Sequence, residues 1–279
     1  MLVALLLAVA GAGDAPANNF SLRLDNAWTA FSLEEFKTAR DGFSALLDEA
    51  AGGSEEQLSA MFGLATTFAQ QRPEPDLPRA RELFEKLAKS SNQEFSAWSL
   101  LAMARLEHVV PVGKDPDYPK LSAAYQRVID RFPSHPASEE AFIFLESTLV
   151  ATLDPAKAST ALKNLDRFVA THPSSKFSSA AHALMAECRQ TLKQPDQRLA
   201  EEIAALDTVE VDPAAPYADK AYSYWKIASI AEFEVGDLET ARKYYRLLIQ
   251  EYPTDQRLYG AKAALQRMTE LETKLSKKR

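Results

Sequence analysis

From residue 32 onward the apolar positions fall into helical runs that stop and restart on a regular schedule. Three runs close on an apolar pair shortly before a proline: Val128-Ile129 before Pro133, Phe168-Val169 before Pro173, and Leu248-Ile249 before Pro253; a weaker member, Thr208-Val209, precedes Pro213. These prolines stand 40 residues apart, and an alanine follows each by eight: Ala141, Ala181, Ala221 and Ala261. Carried back, the same step lands on Gln93 and Gly53, in the breaks "KSSNQEFSAW" and "AAGGSEEQL". Proline suits such a corner because it has no N–H to continue a helix and restrains the residue before it.

A second series of starts lies between the first. Asp76, Asp117, Asp154, Asp196 and Asp237 each open a helical pattern, where a carboxylate accepts the unpaired N–H groups of the first turn and suits the positive helix end. Pro155 follows its aspartate at the position where a missing N–H costs nothing. Ser32 with Glu35, and Ser54 with Gln57, have the spacing of capping boxes and predict two more helix starts. The pattern predicts a tandem array of antiparallel helix pairs, and no strand alternation of useful length interrupts it, so the expected fold is all-α.

The last pair reads "YSYWKIASIAEFEVGDLETARKYYRLLIQEYP". Trp225, Gly236-Asp237, Ala241, Tyr245 and Pro253 stand in it at the spacings of a tetratricopeptide repeat, and the stretch resembles that family. Weaker matches carry Leu64, Ala65, Phe68, Ala80 and Phe84; Tyr125, Val128-Ile129 and Pro133, with "VVPVGKDPDYP" inserted between the helices; and Ala161, Leu165 and Pro173. Where the family has an aromatic residue in the middle of the first helix, this chain has Glu232, with Phe233 beside it. The aromatic-Pro-Ser/Thr corner resembles a bacterial cell-envelope branch, whose members include an outer-membrane assembly lipoprotein and a periplasmic coordinator of the Tol–Pal type.

The resemblance implies a right-handed superhelical solenoid of about six repeats over residues 32–275, with the first helices lining a groove. Ala241 would let two helices cross closely, and Trp225 and Tyr245 would pack between pairs rather than hold a ligand. The groove would bind a protein or peptide partner, with Ser223, Lys226, Ile230 and Phe233 as the candidate positions in the last full unit.

Composition narrows the partner classes. The 279 residues are 46% apolar and 25% charged with 9 glycines, enough for a buried core. A formal net charge of -7 leaves no nucleic-acid footprint, and the basic end "KLSKKR", with residues 276–279 as a tail, reads as a solvated helix terminus. Residues 1–12, "MLVALLLAVAGA", carry no charged side chain and end in small residues, the pattern of a signal peptide. The run is shorter than the roughly 20 residues of a membrane span, so no transmembrane span is expected. No Lys or Arg precedes it, and no cysteine follows it as a lipid attachment site. Residues 13–31, including "NNFSLRLDNAWTAF", read as a tether or a partial capping helix anchored by Trp28 and Phe31.

Chemistry is sparse. Cys188, the single cysteine, excludes an intramolecular disulfide and a multi-cysteine metal site, and its helical, apolar context reads as a buried small hydrophobe. His135 and His172 flank proline corners and read as turn residues. His182 and Cys188 are six apart on one helix and so lie on different faces. The glutamate pairs in "LEEF", "GSEEQ", "SEEAF" and "LAEEIA" read as solvated surface. No catalytic, cofactor or metal residues are expected. The reading is therefore a non-catalytic protein-interaction scaffold of the cell envelope, exported or periplasmic. The alternatives are an enzyme whose site is assembled across a helical solenoid, for instance one acting on peptidoglycan, and a cytosolic tetratricopeptide adaptor.

Overall fold

The computed structural model describes residues 19–111, 113–208 and 220–276. The leader at residues 1–12, the Pro213 corner and the last three residues of the basic tail lie outside the described residues. Every regular element among the described residues is helical. The chain divides into two compact units, Met1–Phe142 and Ile143–Arg279.

The first unit holds α1 (Asn19–Ser32), α2 (Phe36–Glu49), α3 (Glu55–Gln70), α4 (Leu77–Ala88), α5 (Gln93–Leu106), α6 (Tyr118–Arg131) and the start of α7 (Pro136–Val150). Each helix from α1 to α5 packs on the next, and α1 also reaches α3. One core runs through the first five helices, with Phe31, Phe43, Phe68, Phe84, Leu87 and Phe95 all buried. Trp28 meets Phe31 and Phe43 edge-on at 5.6 and 4.9 Å, the geometry that aromatic quadrupoles favour.

The second unit continues with the rest of α7, then α8 (Pro155–Thr171), α9 (Ser178–Thr191), α10 (Pro195–Asp207), α11 (Lys220–Ile230), a π turn (Ala231–Val235), α12 (Leu238–Glu251) and α13 (Leu258–Ser276). Its last core gathers Ile227, Ala228, Tyr244, Tyr245, Leu248 and Met268 around Ala241, which is 0% exposed.

The proline corners repeat to the dihedral. Phe132, His172 and Tyr252, each just before a proline, have φ/ψ of -134/55, -127/59 and -126/63 degrees. Each is pushed out of the helical region by the proline after it, yet its N–H still reaches the carbonyl four residues back, at 3.0, 2.8 and 3.0 Å. Two successive turns then carry the chain into the next helix: His135 N–H to Phe132 O and Ser138 N–H to His135 O, with the same pair of bonds at Ser175–Ser178 and Asp255–Leu258.

The aspartate starts hold at four of five positions. Asp76, Asp117, Asp154 and Asp237 accept the N–H of Arg79, Lys120, Lys157 and Thr240 at 3.2, 3.0, 2.9 and 3.0 Å. Asp196 does not cap: Gln194 precedes the helix, Pro195 opens it, and Asp196 sits in the first turn. Ser54 caps α3 as expected, and Gln57 Oε1 accepts the Gly53 N–H at 2.7 Å. Ser32 does not start a helix. It ends α1, its hydroxyl donating to Thr29 O at 2.8 Å, and α2 begins after Glu35 without a side-chain cap. The packing of α1 through Trp28 and Phe31 extends that helix across the position where a cap was expected.

Candidate partner-binding surface

The surface is built on α11. Its Tyr224 and Ile227 face the core, and Ile230 continues that stripe at a spacing of three residues; Ile230 is 3% exposed. The next turn is wound wider: Gly236, with φ of 81 degrees, and Asp237 both donate their N–H groups to Ala231 O. A π turn inserts a residue into the helix and rotates the residues beyond it; such bulges recur at functional sites. Here it turns the Glu232 side chain inward, 6% exposed, and Phe233 outward, 69% exposed.

Glu232 is held from two sides. Tyr245 Oη donates to Glu232 Oε2 at 3.1 Å, and Arg267 of α13 donates to Oε1 through Nε and Nη2 at 2.9 and 2.5 Å. Thus the residue standing where the family has an aromatic ring supplies an ionic tie among the turn, α12 and α13. Burial pushes the Tyr245 phenol up to about 12. Trp225 meets Tyr245 at 5.5 Å, and its ring lies where a Cβ at position 260 would be 2.7 Å away, so Gly260 is the residue that lets α13 approach α11.

Of the four candidate groove positions, Phe233 is outward, and Arg267 lies over its ring at 5.3 Å. Ser223 is half-buried. Lys226 is tied to Glu202 of α10 at 2.6 Å. Ile230 belongs to the core, because the register of the helix up to the π turn points it there; it is not offered to a partner. Sequence reasoning missed Tyr222, which is 57% exposed near the start of α11, eleven residues before Phe233. Arg257 lies over its ring at 5.7 Å. The exposed Tyr222–Phe233 stripe thus draws one ring from α11 and one from the π turn, each with an arginine against it, a cation–π arrangement.

The histidines and the single cysteine sit within the framework. His135 Nδ1 accepts the Ala137 N–H at 3.1 Å, so Nε2 carries the proton and donates to Glu94 Oε2 at 2.9 Å; Glu94 Oε1 accepts from Trp98. This turn histidine thus binds the α7 corner to α5. His172 stacks on Phe168 at 4.8 Å, His182 meets Glu201 at 2.9 Å, and His108 meets the buried Tyr125 phenol at 2.7 Å. Burial and the nearby Arg105 hold the His108 imidazole below its ordinary range. Cys188 is 0% exposed, and burial raises its thiol to about 11, the profile of an inert core thiol.

Two of the glutamate pairs are not solvated surface. Glu201 and Glu202 point to opposite neighbours, His182 of α9 and Lys226 of α11, because adjacent helical residues diverge by about 100 degrees. Glu140 pairs with Arg105. Among the described residues no helix is long and apolar enough to cross a membrane.

Stacked helix pairs joined by proline corners and aspartate caps, with aromatic residues displayed on a first helix, define a helical-repeat protein that offers a surface to other macromolecules. The family model of an outer membrane lipoprotein matches residues 64–202, and a tetratricopeptide-repeat model matches residues 221–255. The chain thus resembles tetratricopeptide-repeat proteins and, among them, bacterial envelope members. Among solved structures, the assembly chaperone of RpL4, Acl4, aligns with a TM-score of 0.51 at 15% identity, over 93% of this chain and 100% of that one. The tetratricopeptide domain of P58(IPK) aligns with a TM-score of 0.35 at 16% identity, over 92% and 67%. At such identity the first likeness speaks for the fold alone. No curated protein matches the chain in sequence.

Proposed function

We propose that this protein is a non-catalytic scaffold of the bacterial cell envelope that binds a protein or peptide partner on its repeat surface, with the Tyr222–Phe233 stripe as a contact. The observation that carries the binding role is Phe233: a large aromatic side chain aimed into solvent by a π turn, with an arginine against it. Exposed aromatic and arginine side chains are the types enriched at interface hot spots. The match of residues 64–202 to an outer membrane lipoprotein family supports the envelope address, as does the leader-like pattern of residues 1–12.

The test is fractionation of cells expressing the tagged full chain, then capture and mass spectrometry, with the parent beside a Tyr222→Ser, Phe233→Ser variant. The reading predicts recovery in the envelope fraction with a defined partner. It predicts at least a tenfold weaker capture by the variant, because removing a hot-spot side chain typically costs about 2 kcal/mol or more, while the thermal midpoint stays within about 2 °C. Cytosolic recovery would overturn the address. Equal capture by parent and variant would overturn the stripe.

A further inference from the structure

Glu146 stands out in the second unit. It lies on α7, is 2% exposed, and is surrounded by a helix otherwise rich in apolar residues. Its Oε1 accepts a hydrogen bond from Asn164 Nδ2 of α8 at 2.9 Å. Its Oε2 is buried without a hydrogen-bond partner. From α9, the Cys188 thiol is near enough for the carboxylate to raise it further. The charged neighbours of Cys188 on α9 are Glu187, which raises the thiol too, and Arg189, which is engaged with Gln194 and Glu201. Among the described residues no cation is paired with Glu146.

A buried carboxylate with one oxygen unsatisfied and no counter-ion is costly, whereas the neutral acid is tolerated. Asn164 donates to Oε1, which leaves the proton on Oε2. We propose that Glu146 is a proton-operated latch: with the carboxyl neutral, α7 and α8 are closed on each other, and deprotonation loosens the pair. Burial lifts the carboxyl from 4.5 to about 7, against the opposing pull of the Asn164 hydrogen bond, which places the latch in the range an envelope compartment or its surroundings can traverse. Linkage gives the sign. The closed state holds its proton up to about 7, the opened state releases it near the ordinary 4.5, and rising pH between these values favours opening.

The chain carries its own reporter. Cys188 is the single cysteine and is fully buried, so a thiol reagent reads the opening of this region. Labelling rates of the full chain and of Glu146→Gln are compared from about pH 5.5 to about pH 8.5; the shared rise in thiolate cancels in their ratio. With the two pKa values above, the parent should gain about 30-fold on the variant across that range, each unit of pKa difference being a factor of ten. A ratio flat with pH would overturn the latch. Infrared spectroscopy gives a second reading that needs no opening: a protonated-carboxyl band that fades with a midpoint near neutrality and is missing from Glu146→Gln. A band lost near the ordinary carboxylate range, or retained in the variant, would overturn it as well.

Discussion

Tyr245→Ala is expected to destabilise the second unit by about 3–5 kcal/mol, the usual cost of deleting a fully buried aromatic side chain. Tyr245 is 0% exposed and packs at the centre of the last core, against Trp225. The cost has two parts. The ring leaves a cavity between α11 and α12 that the small residues there, Ala228 and Ala241, cannot fill. The hydroxyl leaves one oxygen of Glu232 without its donor. Tyr245→Phe separates the parts: it keeps the ring and should cost about 1.5–3 kcal/mol, the range for a hydrogen bond to a charged acceptor. Urea unfolding of the three proteins checks this. If alanine and phenylalanine cost the same, the ring does not hold the core.

Gly63→Val should destabilise the first unit markedly. A Cβ at position 63 would stand 2.3 Å from Phe43 Cε1 and 2.5 Å from Cζ. In an open helix, alanine in place of glycine gains up to about 1 kcal/mol. Here even alanine should lose, because Phe43 is 0% exposed and pinned by Trp28 at 4.9 Å, so its ring has nowhere to go. Overpacking of this kind costs about 1–3 kcal/mol, and the branched valine adds to it. Shortening the obstacle should restore stability: Gly63→Ala with Phe43→Leu is expected to be less destabilised than the sum of the two single changes. Additivity of the two in thermal unfolding would mean that the rings and the α3 backbone do not compete for the same space.

The features written into local chain chemistry were legible in the sequence. Proline fixes its own φ and constrains its neighbour wherever it stands, so Phe132, His172 and Tyr252 share one conformation, and the corners could be read from Pro133, Pro173 and Pro253. Aspartate caps are equally local, which is why four of the five positions function as read. Asp196 departed because Pro195 moved the start of the helix upstream by two residues.

The features that were not legible depend on neighbours. Nothing in "SIAEFEV" marks a widened turn; it is maintained by Gly236 at its end and by the ties of Glu232 to α12 and α13. Ile230 precedes the turn and is buried by the regular register of α11, whereas Phe233 lies within the turn and is exposed. Tyr222 escaped because its exposure, two residues before the buried Tyr224, depends on which face of α11 its neighbours cover. Glu146 looked like any helical glutamate, and nothing local marks its burial or its tie to Asn164 of α8.

Site-specific photocrosslinking tests most directly whether this surface meets a partner. A photoreactive residue would be placed at position 233 and, in a separate protein, at position 246, an exposed arginine on α12. Both would be activated in cells expressing the full chain. The account predicts one discrete adduct from position 233, recovered in the envelope fraction and lost when Tyr222 is also replaced, with no such adduct from position 246. The same adducts from both positions, or none from position 233, would contradict it.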